Sequence, residues 1–542
     1  MPNLEALANG GLKYTNFHAA PACAPTRAAL LTGRNPHDVG MGGFPHVGIS
    51  AGFPGYTGQL RPEDGTIAEY LRDAGYSTYA LGKWHLTPDE EISDLGPFDR
   101  WPSGKGFQHY FGFLGGAEDQ YKPDLVEDNR HIKPDGRHFN AQMFDMAISY
   151  IDEQQRLNAD KPFFMYIAPG ATHSPHQSDK VWLDRFRGKF DAGWDVWREN
   201  ILKRQKEMGL IPADAQMHPR NPRVPAWDSL SKDEKRVYAR FMESFAAFGT
   251  YTDWEIGRLI DHLKEKDLLD NTIIMVVMGD NGGSKEGGPH GVIDHETTPP
   301  IADDANQIAQ LVAAIDKIGT GETLSNFPIG WSQATNTPFR KWKADGDAEG
   351  AVRNPLIAYW ADHIPAGGVR TQYGNVIDLL PTTLEMVGIE TPATVREIHQ
   401  TPLDGISLSY SFEHPEAPSR RTTQYYFLQG AGAIYHDGWK ATFGYRPDFV
   451  DLFRTYPLPD RATLPNNAGK EVWELYNLNV DFNERHDIAR KYPEKLIELK
   501  ALFDREAKAN DVYPLINWTD LYLKSSNMME GILEEDRATS AK

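Results

Sequence analysis

Apolar and polar positions follow two periods along the N-terminal part of the chain. Strand-sized runs that are apolar on both faces occupy residues 77–83, 161–167 and 271–278. Between them lie helical patterns, one opened by a T-x-x-E capping box at residues 66–69 and a longer one over residues 237–264. Buried strands separated by helices predict an α/β fold in which helices cover both faces of a large, mainly parallel sheet.

The pattern changes after about residue 415 to shorter alternating runs. An Asp437-Gly438 pair between two of these runs is typical of a two-residue β-hairpin turn. A final helix that begins at Pro493 has one apolar face. We therefore expect an N-terminal α/β domain over residues 1–415 and a small C-terminal domain over residues 416–542, which contains an antiparallel sheet and a helix.

Composition narrows the class of protein. Hydrophobic residues make up 40% and charged residues 24% of the 542 positions, and the longest apolar runs are strand-sized, so we expect a soluble protein without a membrane-spanning segment. The net charge of −20, from 76 acidic and 56 basic residues, argues against a nucleic-acid partner, because phosphate binding needs a basic surface. An anionic substrate would then need a local cluster of cations. The compartment, cytoplasm or periplasm, stays open.

Cys23 is the only cysteine, which excludes an intrachain disulfide. Pro25 suits the first position of a helix, so we expect Cys23 just before a helix N-terminus, where free N–H groups and the helix dipole favour an anion. Arg27 lies one turn further on and can balance negative charge at residue 23. A lone cysteine ahead of an amphipathic helix is more often a buried structural residue, so its neighbours must decide between the two interpretations.

The run CAPTR at residues 23–27, followed by LLTGR at residues 30–34, resembles the C-x-P-x-R and L-x-T-G-R motif of type I sulfatases. The resemblance extends over almost the whole chain, is closest to bacterial arylsulfatases and places the fold in the alkaline-phosphatase-like superfamily. It implies hydrolysis of a small-molecule sulfate ester by a formylglycine that a formylglycine-generating enzyme makes from Cys23. One hydroxyl of the hydrated aldehyde would attack sulfur, and deprotonation of the other would release sulfate.

Two further candidate residues lie at the end of a predicted strand. The segment GKWH at residues 82–85 resembles the family's G-K-W-H, in which the lysine and the histidine face the sulfate. A spacing of two puts both side chains on one side of an extended strand. The resemblance implies that Lys83 binds a sulfate oxygen and that His85 handles a proton of the hydrated aldehyde.

A histidine and a lysine complete the implied anion site. His173 matches a family histidine that hydrogen-bonds sulfate or protonates the leaving oxygen, and His176 is the weaker candidate. Lys343 matches the family's second active-site lysine. The stretch that follows it is one residue longer than usual, so Lys341 remains the alternative.

Asp280 and Asn281 follow a buried strand and resemble the family's D-N-G, whose side chains bind calcium together with residue 23. Oxygen ligands suit calcium, or magnesium in its place, although the commoner meaning of this triplet is a tight turn. The family also has an earlier strand that ends in paired aspartates, which supply two more ligands. The chain as given begins after that point, so we expect a truncated start, a sheet opened beside the site and weak calcium binding.

Two other functions stay open at this point. Phosphonate or phosphate monoester hydrolases of the same superfamily share C-x-P-x-R in some members, although GKWH and the surroundings of Lys343 favour a sulfate ester. A non-catalytic protein built on a decayed sulfatase would explain the missing aspartates. Against it stand the intact candidate residues, which are Cys23, Arg27, Lys83, His85, His173 and Asp280.

Overall fold

The structure is a computed structural model that describes residues 1–45, 53–294, 305–444 and 472–515. Within these residues none of the helices is both long and apolar enough to cross a membrane. The α-helices are α1 (Pro2–Gly10), α2 (Cys23–Thr32), α3 (Ile67–Asp73), α4 (Phe139–Asn158), α5 (Lys180–Leu183), α6 (Gly193–Glu207), α7 (Lys232–Glu265), α8 (Ala305–Ala313), α9 (Ile329–Thr335), α10 (Glu349–Val352), α11 (Leu379–Met386) and α12 (Pro493–Ala509).

The strands, numbered in chain order, are β1 (Leu12–Tyr14), β2 (Phe17–His18), β3 (Ser77–Lys83), β4 (His109–Phe113), β5 (Leu125–Glu127), β6 (Arg130–Ile132), β7 (Phe163–Ala168), β8 (Ile274–Val277), β9 (Leu356–Tyr359), β10 (Gly368–Arg370), β11 (Gly374–Asn375), β12 (Thr394–Val395), β13 (Ile398–His399), β14 (Thr423–Leu428), β15 (Ala431–His436), β16 (Trp439–Gly444) and β17 (Val472–Asn477). Short 3-10 helices occupy Pro54–Tyr56, Asp89–Glu91, Ser103–Lys105, Asp184–Phe186, Trp227–Ser229, Leu269–Asn271, Val376–Asp378 and Ser409–Ser411.

A five-stranded sheet carries the first group of candidate residues. Its strand order is β6-β5-β4-β3-β7, and the strand β3 pairs in parallel with β4 and β7. Tyr79 and Leu81 of β3 pack with helix α4, whereas Ala80 between them packs with α2 and α3 on the other face. Apolar side chains on both faces explain why the run predicted over residues 77–83 forms an internal strand with the same bounds.

A four-stranded sheet, in the order β10-β1-β9-β8, carries the second group. Strand β1 pairs in parallel with β10 and antiparallel with β9, and β8 pairs antiparallel with β9. Leu356 and Ala358 of β9 face a cluster with α11, and Ile357 faces α1 and α7. The predicted α/β fold with helices on both faces is confirmed, and the strand directions are mixed in both sheets.

The two sheets approach each other along β7 and β8 without pairing. Among the described residues β7 pairs only with β3, and β8 only with β9, so each has one edge without a partner strand. Both strands line one cavity of about 1480 Å³, which we call the strand slot. Apolar side chains of α4 and α7 cover it on one face, and those of α2, α3 and α11 on the other. The strand slot therefore separates the two sheets between covering helices.

The C-terminal sheet is antiparallel, in the order β14-β15-β16-β17. Its central hairpin turns at Asp437 and Gly438, whose φ angles of 46° and 83° are the left-handed values that a two-residue turn needs. Helix α12 packs against this sheet through Leu499 and Phe503. The predicted hairpin, sheet and helix are confirmed. Residues 445–471 and 516–542 of the predicted C-terminal domain lie outside the described residues, and its boundary at residue 415 stays a prediction.

Local predictions hold where capping residues set the boundaries. Thr66 and Glu69 form the expected capping box, and α3 begins at Ile67. Helix α2 begins two residues earlier than expected, so Cys23 is its first residue and not the residue before it. Pro25 is accommodated in the first turn, because N–H groups there have no acceptor within the helix.

Buried ion pairs join the C-terminal sheet to the catalytic region. Nζ of Lys440 on β16 lies 2.7 Å from Glu349 and 2.8 Å from Glu484, and all three side chains are buried. Glu349 also contacts His18 on β2 (3.1 Å), and Glu484 accepts a hydrogen bond from Arg340 (3.0 Å). Burial would raise the pKa of the Glu349 carboxyl, but Lys440 and His18 outweigh it and hold that pKa well below its usual value. Lys440 therefore compensates two carboxylates that water does not reach.

Replacement of Lys440 by methionine should destabilise the protein strongly. The change leaves the carboxylates of Glu349 and Glu484 buried with less compensating charge, which costs about 3–5 kcal/mol in proteins. Urea unfolding followed by tryptophan fluorescence measures the free energy of unfolding. The control is Lys508→Met, which removes an exposed lysine paired with Asp504 and should change that free energy by less than about 1 kcal/mol. Equal effects of the two substitutions would contradict the role of the buried lysine.

Candidate active site

Cys23 lies where the N-terminus of α2 meets the end of β3. Its side chain is buried, and its Sγ lies 3.2 Å from Nδ1 of His85, two residues after β3. His85 has a φ of 58°, a left-handed value that is uncommon for a residue with a side chain and costs about 1–3 kcal/mol. The ring of Phe44 stacks on His85 with a centroid distance of 5.9 Å. This backbone turn and the stacked ring hold the imidazole against residue 23.

Arg27, one turn along α2, ties three strand ends together. Its guanidinium donates hydrogen bonds to the backbone oxygen of Lys83 (2.8 Å), to the hydroxyl of Tyr166 on β7 (3.3 Å) and to the carboxylate of Asp280 after β8 (2.8 Å). The hydroxyl of Thr26 donates to the backbone oxygen of Asp280 (2.6 Å). Burial would lower the pKa of Arg27, but Tyr166 and Asp280 outweigh it and raise that pKa. The ends of β3, β7 and β8 therefore meet at one permanent cation.

Lys83, His173 and Lys343 meet beside this junction. Nζ of Lys343 lies 3.2 Å from Nε2 of His173, whose Nδ1 lies 2.8 Å from the backbone oxygen of Ser174. Because only an N–H can bond to that oxygen, the neutral ring carries its proton on Nδ1 and offers Nε2 as an acceptor to Lys343. Lys83 is buried at the end of β3, and burial lowers the pKa of its ammonium.

Backbone hydrogen bonds carry Lys343 into the site. Its N–H donates to the backbone oxygen of Gly283 (3.0 Å), three residues after Asp280. The N–H of the next residue donates to the backbone oxygen of Pro21, two residues before Cys23 (2.8 Å). The loop that bears Lys343 is therefore fastened to both of the segments that carry the reactive groups.

The two alternative residues make other contacts. Lys341 forms an ion pair with Asp347, whose carboxylate is buried. The ring of His176 packs between Phe245 and Phe327, at centroid distances of 5.2 and 5.1 Å. The geometry favours Lys343 and His173, which contact each other, over Lys341 and His176 as the anion-binding residues.

Asp280 and Asn281 follow β8 and line the strand slot. Oδ1 of Asn281 is buried and has no hydrogen-bond partner among the described residues, while its Nδ2 donates to the backbone oxygen of Gly282 (2.8 Å). A buried oxygen without a donor needs an explanation such as an ion, and hard oxygens suit calcium or magnesium. In the described part of the chain no three His, Cys, Asp or Glu side chains form a metal-binding group. The two residues fit a hard cation by chemistry but are too few to hold it alone.

Two residues at the site were not expected from the sequence. Glu286 lies with Oε1 2.6 Å from Nζ of Lys343 and with Oε2 3.9 Å from Nε2 of His173. Tyr166 accepts a hydrogen bond from Arg27 through its hydroxyl. Glu286 belongs to no motif, and its only signal in the sequence is its place in a loop that follows the strand β8.

The family model described as Sulfatase matches residues 1–389. The chain belongs to the sulfatase family. An uncharacterized sulfatase of Schizosaccharomyces pombe is 31% identical over 527 residues, which cover 92% of this chain and 87% of the relative. The arylsulfatase of Klebsiella aerogenes is 27% identical over 422 residues, which cover 75% of this sulfatase and 86% of the relative. The predicted family and superfamily are confirmed.

Solved structures share the fold of this sulfatase. Ps i-CgsB, solved in complex with k-i-k-neocarrahexaose, aligns with a TM-score of 0.62 and 21% identity over 97% of this chain and 92% of the solved chain. The phosphonate monoester hydrolase SpPMH from Silicibacter pomeroyi aligns with a TM-score of 0.53 and 17% identity over 94% and 90%. Membership of the sulfatase family supports hydrolysis of a sulfate ester as the reaction class, whereas these two structures show the fold alone.

The imidazole of His173 should stay neutral across the physiological pH range. Burial, followed by the charges of Lys343 and Lys83, lowers its pKa from 6.5 to about 3, against the opposite effect of Glu286. NMR of nitrogen-labelled imidazoles, with the His173 signals assigned by comparison with His173→Gln, should show that the His173 ring does not titrate between about pH 8 and pH 5.

The lowered pKa of His173 also makes the stability of the folded protein depend on pH. The unfolded chain binds this proton near pH 6.5, so the contribution of the neutral ring to stability is present above pH 6.5 and is lost as the pH falls towards 3. An imidazole of His173 that titrates near pH 6.5 would contradict the buried, cation-flanked position.

Proposed function

We propose that this sulfatase hydrolyses aryl sulfate esters with Cys23 converted to formylglycine and with a bound calcium ion, or magnesium in its place. The observation that carries the proposal is the convergence of His85, Lys83 and Lys343 on Cys23 at the N-terminus of α2. A helix N-terminus beside two ammonium groups favours a bound anion and stabilises negative charge that develops during transfer of the sulfuryl group. The likeness to the Klebsiella arylsulfatase supports the aryl class.

The residues around Cys23 have different roles in the proposed reaction. The hydrated aldehyde supplies one hydroxyl that attacks sulfur and a second hydroxyl whose deprotonation ends the cycle. Sγ marks the place of such a hydroxyl, so His85, with Nδ1 at 3.2 Å, is positioned to accept its proton. Lys83 and Lys343 bind oxygens of the sulfate group as cations. Arg27 contacts Lys83 and Asp280 instead, and so acts by positioning them.

Lys343 and His173 act together on the leaving oxygen. Burial would lower the pKa of Lys343, but Glu286 outweighs it and raises that pKa, so Lys343 keeps its proton. His173 is neutral and accepts a hydrogen bond from Lys343. The pair therefore offers a hydrogen bond to the departing oxygen without transferring a proton. Without protonation, a phenolate, whose conjugate acid has a pKa of about 10, leaves more readily than an alkoxide does. The pair therefore favours aryl esters over alkyl esters.

Asp280 and Asn281 would hold the metal ion, which would add positive charge beside the sulfate oxygens. Calcium prefers about 6–8 oxygen ligands, so these two side chains need partners. Both residues line the strand slot. An added strand that ends in paired aspartates, of the kind the family resemblance implies, would bring two carboxylates to this slot.

The second candidate function is hydrolysis of a phosphonate or phosphate monoester, because some hydrolases of the same superfamily share the C-x-P-x-R motif, and the phosphonate monoester hydrolase SpPMH has the same fold. The segments that carry Lys83 and Lys343 resemble those of sulfatases, and this resemblance supports a sulfate ester as the substrate. Initial rates with an aryl sulfate and with an aryl phosphonate monoester separate the two, and a higher kcat/KM for the phosphonate ester would overturn the proposal. A non-catalytic protein would turn over neither ester after formylglycine has formed.

Co-expression with a formylglycine-generating enzyme should convert Cys23 to the aldehyde and give turnover of an aryl sulfate. Peptide mass spectrometry across residue 23 separates the thiol from the aldehyde. Cys23→Ala should abolish turnover, because no hydroxyl is left to attack sulfur, while the melting temperature stays close to that of the parent chain. Sustained turnover by the alanine variant would remove Cys23 from the mechanism.

Calcium should bind weakly to the 542-residue chain and more tightly once two further aspartates lie beside Asp280 and Asn281. Disturbing even the outer partners of a metal costs roughly 10–100-fold in affinity, so two added carboxylates should improve affinity by more than that. Calorimetric calcium titration compares the chain with a version extended by a strand that ends in paired aspartates.

A matched version of the same extension, with asparagines in place of the two aspartates, separates the filling of the slot from the added charge. Calcium should bind this version little better than the original chain. Tight calcium binding by the unextended chain would show that the paired aspartates are dispensable.

A further inference from the structure

Glu286 lies inside the anion site, although no motif marks it. Its Oε1 is 2.6 Å from Nζ of Lys343, and its Oε2 is 3.9 Å from Nε2 of His173. The hydroxyl of Ser284 donates to Oε2 (3.0 Å), and the backbone N–H of Glu286 donates to that hydroxyl oxygen (3.1 Å). These bonds give the carboxylate a defined place beside two residues that face the sulfate group in the proposed function.

This carboxylate changes the charge balance of the site. Among the described residues at the N-terminus of α2 the cations are Arg27, Lys83 and Lys343, and the carboxylates are Asp280 and Glu286. Among these side chains the cations outnumber the carboxylates by one, so before any metal ion binds they present an excess of one positive charge to an incoming anion. Without the charge of Glu286 the excess would be two.

We propose that Glu286 sets the charge selectivity of the site, favouring monoanionic sulfate esters over dianionic phosphate esters. The inference rests on the proposed function, because it names the esters that the same site accepts. A sulfate monoester carries one negative charge and balances the excess. A phosphate monoester has a second pKa near 6 and therefore carries about two negative charges at pH 8. The second negative charge of the phosphate ester would then lie near the carboxylate of Glu286, and the excess of one positive charge would not balance it.

The effect is large enough to measure. Two unit charges a few ångströms apart in a partly buried site change a binding constant by roughly ten- to a hundredfold. The side chain of Glu286 is 34% exposed, so screening by water places the effect at the lower end, about tenfold. The neighbouring Lys285 and Asp345 form a buried ion pair (2.6 Å), which adds no net charge to this balance.

Calorimetric titration with methyl sulfate and with methyl phosphate at pH 8 gives two dissociation constants without any turnover. The parent chain should bind methyl sulfate more tightly. Glu286→Gln keeps the size of the side chain and removes its charge, so it should shift the ratio of the two constants by about tenfold towards methyl phosphate. Glu286→Asp retains the charge and should retain the parent preference.

A second control separates the local charge from the net charge of the protein. Glu498→Gln removes an exposed carboxylate on α12, far from Cys23 in the chain, with the same change in net charge, and should leave the ratio unchanged. An unchanged ratio in Glu286→Gln would overturn the proposal. Equal weakening of both ligands in that variant would also overturn it, because Glu286 would then act by positioning Lys343. The proposal would also be overturned if neither ester bound to the parent chain.

Failure of the proposed function is read from a different measurement. It would appear as absent aryl sulfate turnover after residue 23 has become an aldehyde. The ratio of the two dissociation constants is measured without turnover, so failure of the charge-selectivity proposal can be distinguished from failure of the proposed function.

Discussion

The guanidinium of Arg27 is bound by groups from β3, β7 and the segment after β8, which belong to two sheets that do not pair with each other in the described parts of the chain. At this end of the molecule its hydrogen bonds replace the backbone ladder that would otherwise join the strands. Arg27 also lies on the helix that begins at Cys23, so the residue that joins the strand ends positions the nucleophile as well. A lysine could not make three directed bonds from one planar group.

The C-terminal sheet supports the other side of the site. The loop that bears Lys343 lies between Arg340 and Glu349, and both of these side chains join the buried network around Lys440 on β16. An ammonium group in the core of the small sheet is therefore connected, through ion pairs, to the loop that presents an anion-binding lysine. This connection gives a physical reason for the two regions to fold against each other, because the buried pairs of Lys440 with Glu349 and of Arg340 with Glu484 each join a residue of one region to a residue of the other.

The sequence predicted what depends on neighbours in the chain. The capping box at Thr66, the hairpin at Asp437 and the strand ending at Lys83 are set by local chemistry, and the structure has all three. Motifs likewise singled out Cys23 and Lys343. What could not be predicted depends on contacts between distant segments: the antiparallel pairing of β8 with β9, the orphaned oxygen of Asn281, and the approach of Glu286 to a lysine 57 positions later. Periodicity and spacing carry no information about such contacts.

The strand slot also has a consequence for how tightly different parts of the backbone are held. In most α/β proteins the middle strands of the sheet have the slowest amide hydrogen exchange, because their N–H groups are paired on both sides. Here β7 and β8 lie between covering helices, yet within the described residues each has a row of N–H and C=O groups without a partner strand. The slowest exchange should therefore be found in β3 and β9, one strand further out on either side, and β7 and β8 should show weak protection along the edges that face the slot.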